Sequence, residues 1–135
     1  MILLVDTSVW IDFFAGRDTP QTRFFKEAIR EGAYVALTGV ILTEILQGVP
    51  SDSGFARLRK DLSSFRVLNP ASEDTYVHAA RLYRMGRKRG VTIRGLVDCL
   101  IAAVAMENGT TVLHKDRDYE RISGYAPLKT VSVES

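Results

Sequence analysis

Short runs of apolar residues alternate along the chain with longer segments in which apolar side chains recur at every third or fourth position. The short runs, each too brief for a helix, predict strands at residues 2–5, 33–37, 66–68, 111–113 and 128–131. The longer segments predict helices at residues 7–16, 20–31, 39–49, 52–65, 72–89 and 96–106, and residues 116–122 are predicted to form a short helix or a turn. Strands that alternate with helices in this way are typical of a mostly parallel sheet.

The segment at residues 96–106 is apolar on nearly every side, which predicts a buried helix rather than one that covers the surface. Its exception is Asp98, which stands among leucine, valine and isoleucine. An uncompensated carboxylate is costly in such surroundings, so we expect a partner for Asp98. The structural alternative is an acid in a first helical turn, where the helix dipole stabilises it.

These elements predict an α/β fold: a three-layer α/β/α sandwich with a central, mostly parallel sheet of four to five strands. A chain of 135 residues with 46% hydrophobic residues suits one domain, so residues 1–135 are predicted to fold as a single unit. In sheets of this kind, ligands bind beyond the carboxyl ends of the strands. We therefore expect functional side chains directly after the strands.

Cysteine content and the N-terminal residues exclude several classes of protein. Cys99 is the single cysteine, so neither a disulfide framework nor a cysteine-rich zinc site is expected. The apolar residues at the N-terminus are few and end at Asp6, which predicts neither a signal peptide nor a membrane span. The resulting expectation is a cytoplasmic protein without membrane association.

Carboxylates follow the predicted strands. Asp6 comes directly after the first strand, and Glu44 lies in the helix after the second. Asp116 and Asp118 follow the fourth strand. Each has a structural interpretation when taken singly, as a helix cap, a turn residue or a solvated residue at the border of a helix face. Because one edge of the sheet would gather Asp6, Glu44 and Asp116, their convergence favours a functional site instead.

Carboxylates gathered at one point repel one another and need a cation to neutralise them. Hard oxygen ligands without paired histidines favour Mg²⁺ or Mn²⁺ over zinc. We expect Asp6, Asp98 and Asp116 to bind the metal. Glu44 would hold a metal-bound water or help to deprotonate it, and the hydroxyl of Ser8 is a candidate for orienting one of the carboxylates. A centre of this kind can hydrolyse phosphodiester bonds.

Four segments of the chain resemble the acidic motifs of bacterial PIN-domain toxins of the VapC type. Each motif alone is weak, but all four occur in the family's order and span almost the whole chain. The segments are Leu4-Val5-Asp6-Thr7-Ser8-Val9-Trp10-Ile11-Asp12, Leu42-Thr43-Glu44-Ile45-Leu46-Gln47-Gly48, Val97-Asp98-Cys99-Leu100-Ile101-Ala102-Ala103 and Leu113-His114-Lys115-Asp116-Arg117-Asp118-Tyr119.

The resemblance implies a PIN-like parallel sheet with helices on both sides and Mg²⁺- or Mn²⁺-dependent endonucleolytic cleavage of RNA, such as tRNA or rRNA. It also implies a homodimer and a VapB-like antitoxin whose tail enters the active-site groove. Glu44 and Asp118 are the weaker candidate metal ligands, Asp118 because family members differ in which acid of the last motif reaches the metal. Carried over to this chain, the catalytic acids are Asp6, Glu44, Asp98 and Asp116.

Six basic residues and no acid lie between positions 81 and 94. Such a run indicates either a solvated helix face or a surface for a polyanion. Arg84, Arg87 and Lys88 are candidates for binding the RNA backbone without sequence selectivity. Arg94, one helical turn before Asp98, is a candidate for contact with the scissile phosphate, or alternatively for an ion pair with a nearby acid.

Other functions stay open at this point. An aspartyl-phosphate phosphatase or a receiver domain also places acids after parallel strands, but Ser8 stands where the phosphatase needs a second acid. A receiver would need paired acids after the first strand. A non-catalytic domain that binds RNA or a partner is a further alternative, as is a PIN nuclease of RNA processing that has no antitoxin.

Overall fold

The computed structural model describes residues 1–133. The strands are β1 (Ile2–Val5), β2 (Tyr34–Thr38), β3 (Arg66–Leu68), β4 (Thr111–Leu113) and β5 (Lys129–Thr130). The helices are α1 (Thr7–Phe14), α2 (Pro20–Arg30), α3 (Gly39–Gln47), α4 (Asp52–Leu62), α5 (Glu73–Lys88), α6 (Leu96–Glu107) and α7 (Arg117–Ser123). Every predicted strand and helix is present, with differences of a few residues at the ends.

The strands form one parallel sheet in the order β3-β2-β1-β4-β5. From β1 the chain passes to β2 and β3 on one side, then returns to β4 and β5 on the other. With right-handed crossovers, this order puts α1 to α4 on one face and α5 to α7 on the other. The contacts agree, because α1 packs against α2 and α3, whereas α6 packs against α5 and α7. The predicted three-layer α/β/α sandwich is confirmed.

The strand order reverses at β1, which lies between β2 and β4. In open α/β sheets, a crevice forms at such a point outside the carboxyl ends of the strands. The register pairs Val5 with Leu113, and the amide of Asp6 donates to the carbonyl of Leu113 at 3.0 Å. The chain therefore leaves β1 and β4 at the same level, which places the residues that follow both strands side by side.

The core is built around β1 and α6. Leu3, Leu4 and Val5 are fully buried, because β1 has a strand on either side and helices on both faces. Residues 101–105 of α6 are buried as predicted, but Leu96 in its first turn is 62% exposed. Asp98 therefore lies at the boundary between core and solvent. None of the helices within residues 1–133 has the length and apolar character of a membrane-spanning segment.

Trp10 fixes the start of α1 against β1. Its buried indole N–H donates to the carbonyl of Val5 at 2.8 Å. The ring packs edge-on against Phe25 and Phe65, with centroid distances of 5.0 and 4.9 Å. Asp6, the residue between β1 and α1, is thus held between a sheet hydrogen bond and an anchored helix.

Candidate active site

The carboxylates that were predicted to converge line one cleft. The cleft has a volume of about 460 Å³ and lies at the carboxyl ends of β1 and β4. Its acidic wall residues are Asp6, Glu44, Asp98 and Asp116. Its other wall residues are Thr7, Ser8, Ile11, Arg94 and Lys115.

Asp6 is the most buried of the four acids, at 8% exposure. The phenolic hydroxyl of Tyr119 donates to its Oδ1 at 2.9 Å. Burial nevertheless raises the pKa of Asp6 from 3.8 to about 6, because the Tyr119 hydrogen bond offsets only part of the desolvation. The nearby charges of Glu44 and Asp116 make smaller contributions to the same rise in pKa. Burial and the neighbouring acids therefore disfavour an ionised Asp6, and a cation bound beside it would offset both effects.

Asp98 faces other carboxylates from the first turn of α6. One oxygen each of Asp98, Asp116 and Asp118 lies within 4.8 Å of the others. Burial, followed by the hydrogen bond with Asp116, raises the pKa of Asp98 from 3.8 to about 8. The partner that was expected for Asp98 is therefore the carboxyl group of Asp116. The charge of this cluster of carboxylates can be neutralised either by a shared proton or by a bound cation.

Glu44 is held in the cleft by Thr7, the first residue of α1. The hydroxyl of Thr7 donates to Oε1 of Glu44 at 2.6 Å. Ser8, which was expected to orient a carboxylate, does not do so, since its buried Oγ has no hydrogen-bond partner within residues 1–133. The physical reason is the packing of α1 against α3, which brings the side chain of Thr7, rather than that of the next residue, to Glu44.

Asp116 caps α7 and is positioned through its own backbone. Its Oδ1 accepts from the amide of Asp118 at 2.9 Å, and its amide donates to Nδ1 of His114 at 3.1 Å. This pairing assigns the proton of a neutral His114 ring to Nε2, which lies 2.9 Å from Oε1 of Glu120. Both ring nitrogens of His114 thus lie within hydrogen-bond distance of a partner.

Asp118 is fully buried, and both of its oxygens accept hydrogen bonds. Its Oδ1 accepts from the guanidinium of Arg121 at 2.8 Å, and its Oδ2 accepts from the backbone amide of Arg94 at 3.1 Å. These bonds tie α7 to the segment that precedes α6. Although Asp118 belongs to the group of three close carboxylates, its contacts favour an anchoring role over metal binding.

Arg94 is the one member of the predicted basic set that lines the cleft. Its guanidinium lies 3.6 Å from Oδ1 of Asp116, and its side chain is 74% exposed. Arg84, Arg87 and Lys88 are exposed on α5 and are absent from the cleft walls. The structure therefore does not bring these three side chains to the cleft, and their contact with the RNA backbone stays a prediction.

Several residues that shape the cleft were missed in the sequence, namely Thr7, Tyr119, Lys115 and Asp12. Asp12 is 4% exposed and accepts from Nζ of Lys115 at 2.6 Å and from Nη1 of Arg17 at 2.9 Å. These two cations hold the pKa of Asp12 below its usual value. A signal was available, because Asp12 stands within an apolar helical stripe in the same way as Asp98.

The donor set of the cleft fits a hard divalent cation. Its walls offer carboxylate oxygens, and the unpartnered hydroxyl of Ser8 adds a neutral oxygen. No histidine or cysteine is among the wall residues, and Cys99 is buried as a free thiol. The raised pKa values of Asp6 and Asp98 are the electrostatic signature of a site that gains stability when a cation binds.

Comparison with known proteins gives a consistent result. The PIN domain family model matches residues 3–125. Ribonuclease VapC11 of Mycobacterium tuberculosis is 30% identical over 132 residues, which cover 97% of this chain and 98% of the relative. Ribonuclease VapC51 of the same species is 31% identical over 123 residues, covering 89% and 84%.

The fold is also similar to those of solved structures. A chain in the crystal structure of VapBC2 from Rickettsia felis, bound to a promoter DNA fragment, has a TM-score of 0.76 at 17% identity, with 99% and 100% of the two chains covered. The structure of VapBC-1 from nontypeable Haemophilus influenzae also gives 0.76, at 19% identity and 97% coverage of both chains. From its motifs, its fold and these relatives, the chain belongs to the PIN-domain family.

Proposed function

We propose that this protein is a divalent-metal-dependent endoribonuclease and the toxin of a VapBC-type toxin–antitoxin pair. The observation that carries the proposal is the single cleft lined by four carboxylates that are far apart in the sequence: Asp6, Glu44, Asp98 and Asp116. The relatives named as VapC ribonucleases support the activity, and the VapBC complexes of similar fold support the toxin role. In this proposal, residues 1–135 form a single PIN domain.

Asp6, Asp98 and Asp116 are the proposed ligands of Mg²⁺, with Mn²⁺ as a substitute. When bound, the metal supplies an activated water and stabilises the charge that develops on the phosphodiester. Asp6 is fixed for this role by Tyr119, and Asp116 by its position as the cap of α7. Ionisation of Asp98 accompanies metal binding, since burial and the neighbouring acids favour its protonated form.

Glu44 is the proposed general base. Thr7 holds its Oε1, whereas Oε2 has no hydrogen bond from residues 1–133 and is free to accept a proton from the attacking water. Arg94 is proposed to contact the scissile phosphate. Its distances of 3.6 Å to Asp116 and 4.0 Å to Asp118 are long for ion pairs, so the guanidinium can turn toward a phosphate at small cost.

The proposed partners are an RNA substrate, such as tRNA or rRNA, a VapB-like antitoxin and a second copy of this chain, all in the cytoplasm. The antitoxin is supported by the VapBC complexes among the structures of similar fold. Co-expression with the product of the neighbouring reading frame tests it. We expect the two proteins to co-purify and RNA cleavage to be suppressed in the complex. Sedimentation of the separate protein tests the homodimer.

The nuclease is tested by incubating the purified protein with total bacterial RNA in the presence of Mg²⁺, Mn²⁺ or EDTA. Asp98→Asn keeps the shape of the side chain but removes its charge. Asp61→Asn makes the same change at an exposed position on α4 and serves as the matched control. We expect defined RNA fragments only with metal, unchanged in Asp61→Asn and lost in Asp98→Asn.

Two other outcomes have clear meanings. RNA that is bound equally by the folded wild-type protein and by Asp98→Asn, but cleaved by neither, would contradict the nuclease and favour a non-catalytic RNA-binding domain. Cleavage that needs metal and Asp98, by a protein that no neighbouring gene product inhibits, would retain the nuclease and favour a role in RNA processing.

A further inference from the structure

A second depression adjoins the acidic cleft, and its charged wall residues are all cations. It has a volume of about 490 Å³ and is lined by Thr92, Arg94, Lys115, Arg117 and Arg121. Two of these residues, Arg94 and Lys115, also belong to the wall of the acidic cleft, so the two depressions are continuous. We propose that this cationic pocket binds the RNA phosphodiester group next to the scissile one. The inference rests on the proposed function, because it assumes that the acidic cleft holds the scissile phosphate.

Two cations of the pocket, Lys115 and Arg121, are held in place by ion pairs with buried acids. Lys115 pairs with Asp12 at 2.6 Å, and Arg121 pairs with Asp118 at 2.8 Å. The side chains of Asp12 and Asp118 are only 5% and 1% exposed, whereas those of Lys115 and Arg121 are 39% and 40% exposed. The negative charges therefore lie in the interior and the positive charges face the solvent, so the pocket presents an ordered set of cations to an approaching anion.

Arg117 adds a positive charge that the chain itself does not neutralise. It is exposed and forms no ion pair within residues 1–133. It is also the first residue of α7, where the helix dipole disfavours a cation. Together with Arg94, Lys115 and Arg121, it crowds four like charges around one depression. An anion bound among these side chains would relieve their mutual repulsion.

The chemistry of the walls selects a phosphate rather than a base. Guanidinium and ammonium groups and the hydroxyl of Thr92 are donors that suit phosphate oxygens, and a planar guanidinium can bind two of these oxygens at once. No aromatic side chain lines the pocket, so it offers no platform for stacking a base. Contacts of this kind fix the position of a strand without reading its sequence.

The positive charges of the pocket also compensate for the repulsion between RNA and the carboxylates of the acidic cleft. Four ionised carboxylates repel an RNA strand, and one divalent cation neutralises only two of these four charges, so the metal leaves no surplus positive charge to attract a polyanion. Cations directly beside the cleft raise the local concentration of the strand and hold it while the scissile phosphate is placed. An acidic peptide could satisfy the same cations, but continuity with the proposed catalytic cleft favours RNA as the occupant.

Equilibrium binding of RNA tests the proposal. The probe is a fluorescein-labelled, single-stranded RNA of mixed sequence, measured by fluorescence anisotropy in EDTA so that it is not hydrolysed. Arg117→Gln removes the unpaired cation without breaking an internal ion pair, and Arg117→Lys keeps the charge. Arg57→Gln, at an exposed position on α4 outside both depressions, is the matched control.

We expect Arg117→Gln to raise the Kd about three- to ten-fold for probes of any sequence, and to lower the slope of log affinity against log salt by about 0.7 to 1. Arg117→Lys should retain most of the affinity, and Arg57→Gln should bind as the wild-type protein does. Wild-type affinity in both Arg117→Gln and the folded double variant Arg117→Gln/Arg121→Gln would overturn the proposal. An equal loss in Arg57→Gln would also overturn it.

Cleavage of total RNA with Mg²⁺ or Mn²⁺, measured on the same protein preparations, separates this inference from the proposed function. Cleavage that depends on Asp98, combined with RNA binding that is indifferent to Arg117, would refute the cationic pocket and leave the nuclease intact. RNA binding that depends on Arg117, in a wild-type protein that cleaves nothing, would support the pocket as a phosphate site and refute the nuclease.

Discussion

The ammonium group of Lys115 lies 2.6 Å from Oδ2 of Asp12, a residue 103 positions earlier in the chain. Asp12 lies in α1, and Lys115 follows β4, so this ion pair joins two walls of the acidic cleft. Because Asp12 is buried and Lys115 is partly exposed, the carboxylate of Asp12 fixes the position of the ammonium group of Lys115, which lines both the acidic cleft and the cationic pocket. The pair thus makes the position of Lys115, a cation of the proposed RNA-binding pocket, depend on the packing of α1.

Asp12→Asn should lower the free energy of unfolding at neutral pH by about 1–2 kcal/mol, because two charge-assisted hydrogen bonds lose their ionised acceptor. The partial exposure of Lys115 and Arg17 keeps the effect small. The same variant should weaken RNA binding, since Lys115 is no longer held. Urea denaturation and RNA anisotropy measure the two effects, with Asp61→Asn as the control.

The stabilisation by Asp12 has a defined pH range. Lys115 and Arg17 lower its folded pKa below the ordinary value of 3.8, so the unfolded chain takes up a proton first as the pH falls. The contribution is complete above about pH 4 and is lost as the pH falls through the lowered pKa. The difference between wild type and Asp12→Asn should shrink in that acidic range, and equal stability at pH 7 would contradict the assigned contacts.

Thr7→Val removes the hydroxyl that holds Glu44 but keeps the β-branched shape of the side chain. If Glu44 is the general base, its loss of position should lower kcat about ten-fold and leave KM nearly unchanged, since Glu44 acts on the water and not on RNA binding. Thr43→Val, one residue before Glu44, removes an exposed hydroxyl that bonds to the carbonyl of Gly39 and is the control. A rise in KM at constant kcat would argue against the role of Glu44 as a base.

The positions of the strands, helices and acids could be predicted because they depend on local patterns. The alternation of short apolar runs with helices predicts the parallel sheet. The positions of Asp6 and Asp116 directly after two of its strands predict that the two acids lie at the same edge, where ligands bind in such sheets. Asp98 was identified because a carboxylate in an apolar helix needs a partner. These inferences need only the periodicity of each element and the general geometry of a parallel sheet.

The side-chain partners could not be predicted, because they depend on how distant elements pack. Thr7 and Ser8 are adjacent residues that both carry a hydroxyl group, so the sequence does not distinguish them as partners of Glu44. The packing of α3 against α1 brings the hydroxyl of Thr7 to Glu44. The basic residues near the end of α5 form an unbroken run without acids, which is visible in the sequence, whereas those of the last motif do not. In that motif, Lys115, Arg117 and Arg121 are interleaved with acids, and folding buries Asp118 while the cations stay at the surface.

The metal-free protein should become less stable as the pH rises from 5 to 8. Burial and neighbouring acids raise the pKa of Asp6 to about 6 and that of Asp98 to about 8, both from 3.8. Between the unfolded pKa of 3.8 and the raised folded values, the native state binds more protons than the unfolded state. The free energy of unfolding therefore falls as the pH rises through this range. Urea denaturation in EDTA at pH 5, 6, 7 and 8 measures this slope.

Two variants give this pH dependence a control. Asp98→Asn should flatten the slope and stabilise the metal-free protein at pH 8, because the amide cannot ionise, whereas Asp61→Asn should keep the wild-type slope. Mg²⁺ should stabilise the wild-type protein more at pH 8 than at pH 5, since protons and metal compete for the same carboxylates. A wild-type stability in EDTA that is constant or rises over this range would contradict the assigned shifts.

Tyr119→Phe should move metal binding to higher pH. The hydroxyl of Tyr119 lowers the pKa of Asp6 by donating to Oδ1, in opposition to the effect of burial. Without this donor the pKa of Asp6 rises further, so a higher pH is needed before Asp6 can bind Mg²⁺. Tyr125→Phe is a matched control, because its hydroxyl donates to the carbonyl of Leu82 instead of to an acid. Each variant loses one hydrogen bond, so the free energy of unfolding should fall by about 1 kcal/mol in both. Calorimetric titration with Mg²⁺ across pH 5 to 8 separates the two variants. The pH at which Mg²⁺ binding reaches half its maximum should rise in Tyr119→Phe alone. An equal rise in both variants would mean that the hydroxyl of Tyr119 acts through the fold and not through Asp6.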